Sequence, residues 1–168
     1  MKKKNVSKTP LIALVLLILS SMMAYSIVNL IEIDESKYVV ADYLKVSGTT
    51  VLIGNNCTAI VAETSLERAE SIESGVKGVI NDRPNTHDTL VAVLKSFNIT
   101  LDSVIMESFD GKFYYANLIL RSGDKILKLD TKPSDAIAIA VRTNSTIYIN
   151  KTMLQEIGKD ICQEIVEP

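Results

Sequence analysis

The sequence predicts an α+β domain, with a mixed, mainly antiparallel sheet and three to four helices, preceded by one transmembrane helix. Three observations carry this. Residues 10–31 hold no charged side chain. Beyond them, short apolar, β-branched runs recur between turn signals. Among those runs lie segments whose apolar residues repeat at helical spacing instead of alternating. Strands come first, then two helices, a β-meander, and a helix–strand–helix ending, an order that suits α+β layers. The chain has 168 residues, 47% of them hydrophobic, enough for one domain with a real core.

The N-terminal run "PLIALVLLILSSMMAYSIVNLI" is long enough to span a bilayer, which takes roughly 20 apolar residues. Lys2, Lys3, Lys4 and Lys8 precede it, while Glu32, Asp34 and Glu35 follow. Basic residues stay on the cytoplasmic side. The expected order is therefore a basic cytoplasmic segment at 1–9, an anchor at 10–31, a linker at 32–37 and an extracytoplasmic domain at 38–168. Small residues at Ala24–Ser26 leave a second reading open, a secreted domain after signal cleavage. Sequons at Asn5, Asn56, Asn98, Asn144 and Asn150 exceed what composition gives by chance. They read either as glycan acceptors of an exported chain or as Asn and Thr clustered in turns. Cys57 and Cys162 are the two cysteines, and the reading leaves them unpaired.

Four of the 18 bases precede the first acid, so residues 32–168 carry 14 bases against 20 acids, a net of −6. That balance counts against a large phosphate-binding surface and leaves room for a small local one. "KYVVADYLKV", "TTVLIG" and "CTAIVA" read as three strands, the first two separated by Ser47-Gly48. "TSLERAESIESG" reads as a helix with Thr64 and Glu67 in a capping box and Gly75 as its stop. "NDRPN" is a turn, after which Thr86 caps a helix that faces Leu90, Val93, Leu94 and Phe97 inward. "ITLDSVIMESF" and "KFYYANLILR" form a hairpin over a two-residue Asp110-Gly111 turn, and Ser122-Gly123 leads to "KILKLDT". The helix "TKPSDAIAIAVR", the strand "TIYIN" and a helix capped by Asn150 complete the chain.

Asp135 and Arg142 sit at the two ends of that alanine-rich helix. They are seven residues apart on one face, roughly 10 Å at ~1.5 Å rise per residue, so they are not a direct pair. Charges of these signs suit the helix dipole and need no site to explain them. His87, the sole histidine, stands beside Asp88 at another helix start. No metal-ligand spacing, glycine-rich phosphate loop or nucleophile elbow is present in the sequence.

"RPNTHD", "GKFYYANLIL" and "KPSDAIAIAVR" followed by "TIYI" resemble, in order and spacing, the bifunctional nuclease domain family. Arg83, Pro84, Thr86, His87 and Asp88 match its first block. Gly111, Phe113, Tyr114, Ala116 and Leu118 match the second loosely. Pro133 through Ala138, Ala140 and Arg142 match the third, with Lys132 where the family usually has Arg. The resemblance spans roughly residues 50–155 and implies DNase and RNase activity and a homodimer. A nuclease needs a general base and carboxylates with a cationic stabiliser. Asp88, Asp130 and Asp135 are the acids nearest turns and helix starts, and His87, Asp88 and Asp135 are taken as the candidate catalytic residues. Lys132, Arg142 and Arg83 become candidate substrate contacts, and Asp88 with Asp135 candidate ligands for Mg²⁺ or Mn²⁺. The rival reading is a non-catalytic dimeric binding module whose polar residues only fasten helix starts to strands.

Overall fold

A computed structural model of the chain describes residues 33–80 and 82–162. Two sheets carry the fold. The larger has strand order β1-β8-β5-β6-β7, from β1 (Tyr38–Val40), β8 (Thr146–Asn150), β5 (Thr100–Phe109), β6 (Tyr114–Ser122) and β7 (Lys125–Thr131). It is antiparallel except where β5 runs parallel to β8. The smaller has order β2-β3-β4-β9, from β2 (Tyr43–Ser47), β3 (Thr50–Asn55), β4 (Thr58–Glu63) and β9 (Lys159–Asp160), all antiparallel. Four helices are described: α1 (Leu66–Val76), α2 (Thr86–Ser96), α3 (Pro133–Thr143) and α4 (Lys151–Ile157). The mixed, mainly antiparallel α+β architecture expected from the sequence is present. The anchor run at 10–31 lies outside the described residues. Among those that are described, no helix is long and apolar enough to cross a membrane.

α3 is the hub of the core. Ala136, Ile137, Ala138, Ile139 and Ala140 are all buried, because α3 packs on α1 and α2 and also on β5 and β6. Its alanines let backbones approach closely. Gly75 of α1 uses that space: a Cβ there would lie 2.5 Å from Val141 Cγ2 and 2.6 Å from Arg142 Nη1. The glycine therefore marks a helix crossing and not the helix stop read from sequence. The stop is Gly78, in left-handed conformation at φ +65°, after which Val79 N–H donates back to the Ser74 carbonyl at 2.9 Å.

Several other local expectations shift. The single strand expected over 37–46 is two, because the backbone changes sheet between adjacent residues. Ala41 N–H donates to Ile147 O at 2.8 Å, and Asp42 N–H to Gly54 O at 3.0 Å. α1 is capped at Ser65, without a side-chain bond, in place of a Thr64 capping box. Asn85, not Thr86, caps α2. The Asp110-Gly111 turn is a four-residue connection. Asp110 Oδ1 accepts from Lys112 N at 2.9 Å and Phe113 N at 2.7 Å, and Oδ2 from the Tyr115 hydroxyl at 2.8 Å.

α2 is rotated from the expected orientation. Val91 and Leu94 are buried, whereas Leu90, Val93 and Phe97 are exposed, Phe97 by 70%. The cause is polar. Asp88 is held by Arg142, and Asp88, Val91 and Leu94 follow one another at three-residue spacing, so the inward face runs through them.

Cys57 and Cys162 form a disulfide, which corrects the unpaired reading. Cys57 sits in the β3–β4 turn, and β9 is added antiparallel beside β4, bringing the Cα atoms to 5.2 Å. The Ile161 N–H bond to Cys57 O, at 2.8 Å, fixes the approach. The sequons in the described residues also have structural explanations. Asn56, Asn98 and Asn144 all adopt φ +53°, a left-handed conformation that Asn tolerates better than most residues. Asn150 caps α4, accepting from Thr152 N and Met153 N.

Candidate functional site

Ser71, buried on α1, is the point where three helices meet. Arg142 reaches it from the last turn of α3. Its Nη1 donates to Ser71 O and to Ala138 O, each at 2.8 Å, and its Nη2 donates to Ser71 Oγ at 3.2 Å. Arg142 Nε donates to Asp88 Oδ1 at 2.7 Å, and Asp88 Oδ2 accepts from Asn85 N at 2.9 Å. Asn85 Oδ1 accepts from His87 N and Asp88 N in return, completing a capping box.

This half of the cluster is closed. The Asp88 and Arg142 side chains are 9% and 7% exposed. Burial alone would push the Asp88 carboxyl up. The hydrogen bonds from Arg142 and from the Asn85 backbone, with the Arg142 charge, outweigh it and hold the carboxyl below its ordinary range. Arg142, expected as a substrate contact, and Asp88, expected as a catalytic or metal carboxylate, are therefore committed to each other inside the protein.

The other half opens to solvent. Ser71 Oγ accepts from Arg142 Nη2 and from Asn85 Nδ2, the latter at 3.0 Å. Those two donors use both its lone pairs, so its own proton goes to His87 Nδ1, 2.9 Å away. His87 Nδ1 is then the acceptor, and Nε2 carries the ring proton. That Nε2–H faces Asp135 Oδ1 at 3.4 Å, and Arg68 Nε lies 3.5 Å from the same oxygen. Both distances are longer than a well-formed hydrogen bond. Arg68, His87 and Asp135 line an open cleft of about 520 Å³ beside Asn85 and Ser65. A substrate oxygen entering here meets one guanidinium, one ring N–H and one carboxylate. Ser71 also borders the cleft, but with both lone pairs occupied it is not available as a nucleophile.

The expected residues thus divide. His87 and Asp135 come together. Asp88, adjacent to His87 in sequence, is turned to Arg142 and away from the open cleft. Arg83 stands exposed ahead of the Asn85 cap, with no ion pair among the described residues. Lys132 supplies the N-cap backbone of α3 and faces a neighbouring groove. Asp88 and Asp135 do not form a divalent-metal pair, since both Asp88 oxygens are engaged and Asp135 has a guanidinium beside it. Among the described residues no group of three or more His, Cys, Asp or Glu side chains is placed to hold a metal ion. The Mg²⁺ or Mn²⁺ expectation finds no fitting donor set here.

Sequence reading missed Ser71, Arg68 and Asn85. A signal existed for two of them. Ser71 stands beside Ile72 and between Ala69 and Gly75, a polar residue on the inward face of α1. Asn85 precedes Thr86 and has an acid three residues on, a cap pattern of its own.

Two uncharacterized proteins of Mycobacterium tuberculosis, from strains CDC 1551 and H37Rv, are each 31% identical to the chain over 90 residues. Those residues are 54% of this chain and 53% of each relative, so the chain spans about half the length of the curated relatives it matches. The family model described as the bifunctional nuclease domain matches residues 56–161, which include Ser71, His87, Asp135 and Arg142. That match covers more than half of the sequence, and the chain belongs to the bifunctional nuclease domain family.

Proposed function

We propose that this chain engages nucleic-acid phosphodiesters at the cleft of Arg68, His87 and Asp135 and cleaves them there. The observation that supports this reading is the convergence of those three side chains in one open cleft. Arg68 and the His87 Nε2–H address a phosphoryl oxygen as charge builds on it. Asp135 accepts a proton from water as the water oxygen bonds to phosphorus. The P–O bond to the departing nucleoside then breaks, and its oxygen takes that proton. Arg142 and Asp88 hold Ser71 and the start of α2, and through them the tautomer of His87.

Cleavage of single-stranded DNA and RNA by the full chain in detergent tests this, with Mg²⁺, with Mn²⁺ and with EDTA. Asp135→Asn is expected to slow turnover about 10²–10⁴-fold, the usual contribution of a positioned acid–base group. Equal rates in the two proteins would sink the site assignment. No cleavage under any condition would sink the enzyme reading in favour of the binding module. That second reading draws on the net of −6 over residues 32–168 and on the burial of the Arg142–Asp88 pair.

We propose further that residues 10–31 anchor the chain with its domain outside the cytoplasm. The Cys57–Cys162 disulfide supports this, because such bonds persist in oxidising compartments. Protease added to intact cells is expected to remove the domain; a protected domain would overturn the orientation.

A further inference from the structure

We infer that the groove beside the cleft, between the β5–β6 connection and the starts of α1 and α3, seats an unpaired nucleobase whose flanking phosphates meet Arg68, Lys112 and Lys132. This rests on the nucleic-acid reading above and adds to it where the base goes. The groove has a volume of about 590 Å³, within the usual range for ligand pockets. Its floor is the apolar core, at Ile53, Ile60, Met106 and Ile137. Its lip is aromatic. Phe113 is 55% exposed, and Tyr114 stacks on Phe109 with ring centroids 4.4 Å apart. Arg68 and Ser65 line both cavities, so the groove runs on into the cleft of His87 and Asp135.

Charge selects the occupant. Arg68, Lys112 and Lys132 line the groove with Glu63 as the one lining carboxylate among the described residues. Asp135 stands 3.5 Å from Arg68 in the adjoining cleft, so Lys112 and Lys132 carry the excess. Glu63 is already engaged by the Thr49 and Thr50 hydroxyls at 2.7 and 2.6 Å. Lys112 lies over the Phe113 ring, 4.9 Å from its centroid, and Lys132 has no carboxylate partner among the described residues. In a domain of net −6, this is a local excess of positive charge interleaved with aromatic faces. Exposed rings beside cations are how single strands are held without base-specific contacts. A base still inside a duplex cannot present its face to Phe113, so single strands are preferred. With three phosphate contacts, the logarithm of the single-strand affinity falls against that of salt with a slope of about −2.

Fluorescence anisotropy of labelled oligothymidylate, alone and annealed to its complement, tests the inference on the full chain in detergent. The single strand is expected to bind at least about tenfold more tightly than the duplex. Phe113→Ala is expected to weaken single-strand binding about tenfold, within the range for loss of one stacked base. Phe113→Leu keeps apolar bulk without the π face and is expected to behave like Phe113→Ala. Lys132→Met is expected to flatten the salt slope by about 0.7. Wild-type affinity in both Phe113 variants, or equal binding of duplex and single strand, overturns the base seat and leaves the cleft assignment standing. Absence of binding by any oligonucleotide overturns both.

Discussion

Arg142→Met is expected to destabilise the domain by about 3–5 kcal/mol, because it strands a buried carboxylate. The side chain makes four hydrogen bonds, to Asp88, to two backbone carbonyls and to Ser71 Oγ. Methionine fills much of the volume and satisfies none of the acceptors. Thermal and urea unfolding check this. Adding Asp88→Asn to Arg142→Met is expected to recover part of the loss, the mark of a coupled pair. An unchanged unfolding midpoint in Arg142→Met would show that the pair contributes nothing. The acid side carries the same logic. Asp88 has a folded-state value below its unfolded one, about 3.9. Its stabilisation is therefore full above about pH 4 and is lost as pH falls through the depressed value. Asp88→Asn is expected to remove that portion of the acid sensitivity.

Breaking the Cys57–Cys162 bridge is expected to cost about 2–4 kcal/mol, the typical worth of a native disulfide. The two cysteines are 105 residues apart, so the bridge removes much freedom from the unfolded chain; the loop-entropy argument alone would give about 4–5 kcal/mol. Both are exposed, so a mild reductant reaches them. A lower urea midpoint after reduction, matched by the Cys57→Ser, Cys162→Ser double variant, is the expected result. Identical midpoints with and without reductant would refute it.

The sequence made the strands and helices legible wherever a local rule acts alone. β-branched runs gave β3, β4 and β8, and Asn150 gave the cap of α4. It failed where a distant partner decides. The break between β1 and β2 has no breaker residue; it exists because Ala41 and Asp42 bond to different sheets. The rotation of α2 follows from Arg142, 54 positions away from Asp88. Gly75 looks like a helix stop until α3 is laid across it. The candidate site was half legible for the same reason. His87 and Asp135 could be singled out as polar residues at helix starts. Which neighbour each would face could not, because His87 and Asp88 are adjacent in sequence yet take different partners, Ser71 and Asp135 for one and Arg142 for the other. The seven-residue spacing of Asp135 and Arg142 excluded a direct pair. The structure links them instead through Ser71 and His87.

The seating of β1 also has a consequence in time. Its sheet neighbour is β8, with Tyr38 opposite Asn150, so the first strand of the domain waits for one of the last. Everything between can be synthesised before that strand has a place. High contact order of this kind slows folding. A ribosome pausing before residue 146 would leave β5, β6 and β7 able to pair while the leading edge of their sheet stayed vacant. The larger sheet is therefore complete only once residues 146–150 have been made.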